Sequence, residues 1–271
     1  MRRPENDKRL GIDPILLKVL EAVPFRLSLD DGVQVARQQL RDLPRRPVHP
    51  QLRVEDRTVP GPTGAIPVRI YWPPDAGDDA PVVVFFHGGG FVVGDLDTHD
   101  GTCRQHAVGA GAVVVSVDYR LAPEYPYPAA VDDALATTQW VAEHASEIGA
   151  DTTRLAVAGD SAVAAFSRWY AGDVDLSNPP AGMAPGRAEN LAGLAPAYIA
   201  VAGHDPLRDD GIRYGELLAA AGVAVEVHNA ETLVHGYVGY AGVVPAAIEA
   251  MDRALTALKS GLHQPIRTVG P

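Results

Sequence analysis

The sequence predicts an α/β protein in which a mostly parallel sheet carries helices on both faces. Strand-like and helical stretches alternate between residues 53 and 259, which is typical of parallel strands joined by helices. The stretches 82–86 and 112–118 are also continuous apolar runs, as expected of strands that are covered on both faces. A chain of 271 residues fits one large domain of this class or two small ones.

Two short amphipathic helices are expected first, because apolar residues recur at helical spacing in 13–23 and 33–43. A Pro- and Arg-rich break at 43–50 divides the chain into N-terminal helices at 1–48 and a larger domain at 49–271. The strands expected beyond the break are 53–60, 66–72, 82–86, 112–118, 154–158, 197–202 and 223–228. The helices expected there are 98–109, 128–147, one that ends at 215–221, and 246–259.

Composition and charge exclude several classes of protein. Lys and Arg (23) against Asp and Glu (34) give a net charge of −11, so the chain lacks the positive field that nucleic-acid binding requires. The apolar runs are far shorter than the roughly 20 residues of a membrane-spanning helix, and charged residues interrupt the one N-terminal stretch that could be compared with a secretion signal. Cys103 is the single cysteine, so no internal disulfide can form. We expect a cytoplasmic location.

A serine stands at the junction of a strand and a helix. The strand LAVAG (155–159) leads to Ser161, and AVAAFSRWY (162–170) can be helical. A serine in such a turn presents its hydroxyl at the edge of the sheet, as a nucleophile must. The usual pattern Gly-x-Ser-x-Gly is incomplete, because Val163 replaces the second glycine. The alternative is that Ser161 is only a helix N-cap.

Three consecutive glycines follow the buried strand PVVVFF (81–86) in the stretch His87-Gly88-Gly89-Gly90-Phe91. Glycines at this point let the backbone approach a ligand closely and direct unpaired N–H groups at a developing oxyanion. A phosphate-binding loop is the competing interpretation, but no Gly-Lys-Ser/Thr follows and the charge balance is acidic. We expect His87 itself to be structural.

An acid and a histidine follow the next two strands in the order that a catalytic triad requires. Asp205 comes after the strand at 197–202, and His235 comes after the strand at 223–228. In this order His235 can take the proton of Ser161 as general base, while Asp205 fixes its tautomer and stabilises the imidazolium. The alternative for Asp205 is a helix N-cap.

Five motifs in the correct order together resemble the hormone-sensitive-lipase-like branch of the α/β-hydrolase esterases. They are HGGGFVVGDLDTHD (87–100), VDYRLAPEYPYPAAVDD (117–133), AGDSA (158–162), DPLRDDG (205–211) and HGY (235–237). The resemblance spans most of the chain. It implies an α/β-hydrolase fold and a cofactor-free serine carboxylesterase for short- to medium-chain acyl esters, with the N-terminal helices as a cap over the pocket. A simple terminal packing arm is the alternative for those helices.

The resemblance also implies a role for each residue that matches a family motif. Ser161 would be the nucleophile, Asp205 the acid and His235 the base. The backbone oxyanion donors would be Gly88, Gly89 and Ala162.

Two departures from the family pattern fall after the serine. Val163 and Ala164 stand where family members have two glycines. Only residues 162–196 lie between Ser161 and the strand at 197–202, and 172–187 among them has the composition of a loop. The resemblance implies a further strand in this interval, so we expect the sheet to be one family strand short. A crossover can be completed in as few as about 10 to 12 residues, so a direct connection is possible.

The shortening leaves two alternatives, a sheet that has closed up by one strand and a damaged member of the family. In the closed-up sheet, strand 197–202 pairs directly beside strand 154–158. Asp205 and His235 then shift together by about 4.8 Å relative to Ser161. We expect an intact Asp205–His235 contact, a less secure contact of His235 with Ser161, and weak esterase activity.

The sequence therefore predicts a carboxylic ester hydrolase whose partner is a small-molecule ester, with no nucleic acid and no membrane span. A catalytically impaired hydrolase-fold protein that binds a small ligand or a partner remains an alternative, because fold does not imply function. An amidase or peptidase that uses the same triad is a further alternative. The oligomeric state stays open, with a homodimer as one alternative.

Overall fold

The computed structural model describes residues 11–22, 31–161 and 167–263, and these contain seven helices and seven strands. The helices are α1 (Pro14–Ala22), α2 (Val33–Arg41), α3 (Asp100–Ala110), α4 (Ala129–His144), α5 (Ser167–Ala171), α6 (Arg208–Ala220) and α7 (Pro245–His263). The strands are β1 (Arg53–Gly61), β2 (Gly64–Trp72), β3 (Ala80–Phe86), β4 (Val113–Val117), β5 (Ala150–Gly159), β6 (Ala197–His204) and β7 (Val225–Val234). Every strand that the sequence predicts is present, with shifted ends.

Five of these strands form a mixed sheet in the order β1-β2-β4-β3-β5. The central strand β3 is parallel to both of its neighbours, β4 and β5. The other two ladders, β1 with β2 and β2 with β4, are antiparallel. The expectation of a mostly parallel sheet therefore holds for the β4-β3-β5 part, which positions the site, and not for the β1-β2 hairpin.

Apolar side chains cover both faces of the five-stranded sheet. On one face Val82 and Val84 of β3 pack in a core cluster that includes Val141 of α4. On the other face Val83 of β3 packs in a cluster that includes Cys103 of α3. This division follows from the alternation of side chains along a strand. The prediction of buried β3 and β4 strands with helices on both faces is confirmed.

The last two strands, β6 and β7, form a separate parallel two-stranded sheet among the described residues. The closed-up arrangement, one of the two alternatives, would pair 197–202 with 154–158. This pairing is not among the described ladders, in which β6 pairs with β7 and β5 pairs with β3. The sequence prediction also ended the last strand too early. β7 continues to Val234, because its ladder with β6 resumes after an irregularity between Ala202 and His204.

The apolar sequence of the strand at 154–158 also predicts a buried strand, and this prediction is wrong for part of its length. The side chain of Val157 in β5 is 58% exposed. β5 is the last strand in the order of its sheet, and among the described residues it has a ladder on one side only. Its apolar sequence therefore does not ensure coverage of both faces.

The chain divides into two compact units. The first unit consists of Met1–Leu27 and Asn190–Met251, and the second unit consists of Ser28–Glu189 and Asp252–Pro271. Helix α1 belongs to the first unit and helix α2 to the second. The boundary predicted between residues 48 and 49, and a cap formed by the N-terminal helices, stay predictions.

Helix α1 begins at a capping aspartate and buries one apolar side chain in the first unit. Asp13 Oδ1 accepts the backbone N–H groups of Ile15 (2.8 Å) and Leu16 (2.9 Å), which stabilises the first turn. The Asp13 amide donates to the carbonyl of Thr232 at 2.8 Å. Leu16 is fully buried in a cluster that includes Leu233, so α1 is part of the core of this unit.

Helix α2 is attached to the second unit by two arginines. Arg37 donates to both carboxylate oxygens of Glu124, at 2.8 and 2.7 Å. Arg41 Nε donates to Asp95 Oδ2 at 2.6 Å, and this hydrogen bond is the main reason why the pKa of Arg41 lies above its ordinary value. Exposed ion pairs contribute at most about 1 kcal/mol each, so they orient the helix more than they stabilise it.

Replacing Leu16 by alanine is expected to lower the free energy of unfolding by about 2–5 kcal/mol, because the substitution leaves a cavity in the core of the first unit. The measurement is urea denaturation followed by circular dichroism. Ile15→Ala is the matched control, since the side chain of Ile15 is 44% exposed, and its effect should be much smaller. Equal effects of the two substitutions would show that α1 is not part of the core.

Candidate active site

Ser161 follows the C-terminal end of β5 in an exposed position. The strand reaches this point by passing unusually close to its neighbour. A Cβ atom on Gly159 would lie 2.6 Å from the carbonyl oxygen of Phe86 in β3, so only glycine fits there. Ala162, the oxyanion donor predicted beside the serine, lies outside the described residues, as do Val163 and Ala164.

The three glycines follow the end of β3, and residues 87–90 are called the glycine loop here. Gly89 has a φ of 132°, and a Cβ on it would lie 1.9 Å from the carbonyl oxygen of Val93. The carbonyl oxygen of Gly89 accepts the amides of Val92 and Val93, each at 3.1 Å. The loop therefore folds back on itself in a conformation that only glycine permits at this position.

His87, the first residue of the glycine loop, is buried between two aromatic rings. Its ring stacks on Tyr119 at a centroid distance of 4.3 Å and on His99 at 5.1 Å. Burial, assisted by His99, lowers the pKa of His87 to about 4. The imidazole is therefore neutral at physiological pH. This environment supports the expectation that His87 is structural.

Gly88, predicted as an oxyanion donor, has a hydrogen bond that competes with this role. Its amide donates to Oδ1 of Asp160 at 2.9 Å. The other carboxylate oxygen of Asp160 lies 3.4 Å from Nε2 of His99. Sequence reasoning assigned no role to Asp160 or His99. The signal that was available is a charged residue directly between an apolar strand and the predicted nucleophile.

The predicted acid and base are in contact in the first unit. Asp205 follows β6 and His235 follows β7, and the ends of these parallel strands lie at the same edge of their sheet. Nδ1 of His235 is 2.7 Å from Oδ2 of Asp205. Both side chains are largely buried, with 10% of Asp205 and 19% of His235 exposed. The Asp205–His235 contact expected from the sequence is confirmed.

Asp205 uses its two carboxylate oxygens for different partners. Oδ1 accepts the backbone N–H of Leu207 at 2.7 Å, which stabilises the turn before α6. The N-cap position of α6 is Leu207, so Asp205 is not the N-cap residue. Because a carboxylate only accepts hydrogen bonds, Nδ1 of His235 carries the proton of the contact. A neutral His235 then has its lone pair on Nε2, as a general base requires.

The predicted triad is divided between the two compact units. Ser161 and the glycine loop lie in the second unit, and Asp205 and His235 lie in the first. The contact of His235 with Ser161 stays a prediction.

An apolar cavity of about 400 Å³ lies in the second unit next to the serine turn. Its lining includes Phe86, Phe91, Val131, Val157 and Asp160. Cavities of this size with mostly apolar walls are typical binding sites for small ligands. Within the part of the chain that the structure describes, no group of three or more His, Cys, Asp or Glu side chains could hold a metal ion.

The site residues coincide with the part of the chain that matches a known family. A family model described as alpha/beta hydrolase fold matches two stretches, 83–166 and 162–239. These stretches contain the glycine loop, Ser161, Asp205 and His235, and they cover more than half of the chain.

Named relatives extend the similarity to nearly the full length of the chain. Esterase LipI of Mycobacterium tuberculosis is 63% identical over 311 aligned positions, which cover 95% of this chain and 97% of LipI. Carboxylesterase NlhH of the same species is 47% identical and covers 94% of this chain and 98% of its own. The crystal structure of a thermostable esterase from Pseudomonas putida has a TM-score of 0.86 and 31% identity, with 94% of this chain and 99% of that chain covered. The chain therefore belongs to the alpha/beta hydrolase fold family, as its motifs predict.

Proposed function

We propose that the protein is a serine carboxylesterase that hydrolyses short- to medium-chain acyl esters through an acyl-serine intermediate. The observation that carries the proposal is the buried Asp205–His235 contact of 2.7 Å. Relatives named as esterases and carboxylesterases support this reaction, and they do not support the alternative of an impaired hydrolase-fold binder. LipI, NlhH and the Pseudomonas putida enzyme are all named esterases or carboxylesterases, and this favours an esterase over an amidase or peptidase.

The proposed reaction has two steps that share one histidine. In the first, Oγ of Ser161 attacks the ester carbonyl while Nε2 of His235 takes its proton and then gives it to the departing alcohol. In the second, a water attacks the acyl-serine in the same way and releases the carboxylic acid. Asp205 keeps the proton on Nδ1 of His235 and stabilises the imidazolium. Burial of the Asp205–His235 contact strengthens this interaction, because solvent screens it less.

Backbone amides are proposed to stabilise the negative charge that develops on the ester oxygen. The predicted donors are Gly88, Gly89 and Ala162. The hydrogen bond of the Gly88 amide to Asp160 weighs against the first of them. The proposal therefore assigns this task to the amides of Gly89 and Ala162.

The apolar cavity beside the serine turn supports the proposed preference for acyl esters of modest length. A volume of about 400 Å³ is near the lower end of the range for small-ligand sites. Apolar walls favour the alkyl part of an ester over a charged substrate. The identity of the natural ester stays open.

A shortened connection after Ser161 also stays a proposal. The family model matches two stretches that meet at residues 162–166, directly after the serine, which supports a break in the family pattern there. The LipI alignment, at 311 positions, is longer than this chain of 271 residues, which supports the same interpretation. The shortening is expected to lower the rate of ester hydrolysis and not to change the type of reaction.

The cytoplasmic location and a homodimer likewise stay predictions. Within residues 11–22, 31–161 and 167–263, no helix is both long and apolar enough to cross a membrane.

Labelling with an organophosphonate tests the proposed function directly. A phosphonate ester reacts with a serine only when a base activates it, so the folded protein is expected to gain one phosphonyl group on Ser161. Intact-mass and peptide mass spectrometry give the stoichiometry and the position. The urea-unfolded protein and the variant Ser161→Ala are the controls, and neither should be labelled. A folded protein that stays unlabelled would instead support the alternative of a catalytically impaired hydrolase-fold protein that binds a small ligand or a partner.

A further inference from the structure

Asp160 connects the glycine loop to the turn that carries the proposed nucleophile. The glycine loop follows β3, and Asp160 follows the neighbouring parallel strand β5, where Phe86 lies opposite Gly159. Oδ1 of Asp160 accepts the amide of Gly88 at 2.9 Å across this gap. One carboxylate thus links the glycine loop to the serine turn, and acyl transfer requires a fixed relative position of these two segments.

The surroundings of Asp160 favour its ionised form. Its side chain is 13% exposed, and Nε2 of His99 lies 3.4 Å from Oδ2. Burial alone would raise its pKa, but the contacts with His99 and the Gly88 amide together outweigh burial and hold the pKa of Asp160 below its usual value. His99 is itself fixed, since Nδ1 lies 3.0 Å from Oγ1 of Thr98 and the ring stacks on His87. Asp160 is therefore a fixed acceptor.

Both ends of the peptide group between His87 and Gly88 have a partner. Its carbonyl oxygen accepts the hydroxyl of Tyr119 at 2.5 Å, and its N–H donates to Asp160. The carbonyl oxygen of the next peptide group, on Gly88, accepts Nδ1–H of His87 at 2.8 Å. In a planar trans peptide the N–H points away from the C=O, so these contacts also fix the direction of the Gly89 amide.

We propose that Asp160 is a positioning residue, whose carboxylate holds the Gly88 amide so that the Gly89 amide is directed at the oxyanion of the reacting ester. The inference rests on the proposed esterase function. It assigns the Gly88 amide to the support of the loop instead of to the substrate. His99 belongs to the same device, because it holds the second oxygen of the carboxylate.

The proposal predicts that hydrogen-bond geometry at residue 160 matters more than charge. Asp160→Ala removes the acceptor and is expected to lower kcat about 100-fold, the typical effect of a misdirected oxyanion donor. Asp160→Asn keeps an oxygen for the Gly88 amide, and kcat should stay within about tenfold of the original. Asp160→Glu keeps the charge but displaces the acceptor by about 1.5 Å, so kcat should fall nearly as far as in the alanine variant.

The experiment measures kcat and KM for p-nitrophenyl butyrate and the inhibition constant of phenylboronic acid, which forms a tetrahedral adduct with an active serine. If Asp160 acts through stabilisation of the oxyanion, its substitutions should lower kcat and the affinity for the boronate in parallel. KM should stay within about threefold of the value for the original protein. Asp173→Asn, which changes an exposed carboxylate in the same unit, is the matched control and should match the original protein. Thermal unfolding of each variant checks that it is folded.

The order of the variants decides the outcome. The proposal is supported if kcat of Asp160→Asn exceeds that of Asp160→Glu and Asp160→Ala while KM is unchanged. A higher kcat for Asp160→Glu than for Asp160→Asn would show that charge and not geometry matters. A folded Asp160→Ala variant with kcat near that of the original protein would show that the glycine loop needs no such support. Either result overturns the inference. If Asp160→Ala does not fold, the comparison of Asn with Glu remains decisive. Failure of the proposed function is distinguishable, because the original protein would then either not hydrolyse the ester at all or keep its hydrolysis after Ser161→Ala.

Discussion

Ser161→Ala is expected to lower kcat for p-nitrophenyl butyrate by about a millionfold, because a serine hydrolase without its nucleophile keeps only the catalysis from binding and oxyanion stabilisation. The fold should be unaffected, since Ser161 is exposed at the end of β5. The measurement is steady-state kinetics with circular dichroism as the check of folding.

The matched control is Ser177→Ala, which removes an exposed hydroxyl from the same unit and should leave kcat unchanged. Activity of the Ser161 variant near the original level would exclude Ser161 from the mechanism. Because the remaining rate is expected to be so low, the variant must be prepared without contact with the original enzyme.

Asp205→Asn is expected to lower kcat by about ten thousandfold while the protein stays folded. The amide can still contact His235, but its NH₂ group donates to Nδ1, so the proton moves to Nε2 and the base is lost. The measurement is kcat for the same ester.

Asp209→Asn is the control for this substitution. Asp209 lies in the first turn of α6 with 80% of its side chain exposed, and its loss should change kcat little. If the two variants had equal activity, the Asp205–His235 contact would be structural. The alternative of a simple helix-cap role for Asp205 predicts a loss of stability instead of a loss of kcat.

The burial of a strand was predictable where the strand's own apolar residues are enough to show that both of its faces are covered. β3 and β4 are buried throughout or nearly so, as continuous apolar runs predict. The prediction failed for β5, whose apolar residues would be the same in a covered strand and at a sheet edge. What covers Val157 depends on other segments of the chain, and the sequence of the strand contains no information on their placement.

The candidate site was likewise predictable only where the order of the strands decides which residues meet. Asp205 and His235 each follow a strand, and parallel strands bring such positions to one edge, so their contact could be expected from the order of the elements. The contact of Asp160 with Gly88 could not be expected in this way, because the two residues are 72 positions apart in the sequence. That contact depends on β3 and β5 being neighbours and on the glycine loop turning toward β5, neither of which a motif specifies.

Cys103, buried in the α3 face of the five-stranded sheet, makes the protein convenient for site-specific labelling. Burial raises the pKa of its thiol to about 12, so almost no thiolate forms at neutral pH, and only the thiolate reacts with alkylating reagents. Because it is the single cysteine of the chain, the native protein offers maleimides and iodoacetamides almost no target. A cysteine introduced by Asp173→Cys would therefore be the one reactive thiol. A fluorophore or spin label could be attached there without first removing a native residue.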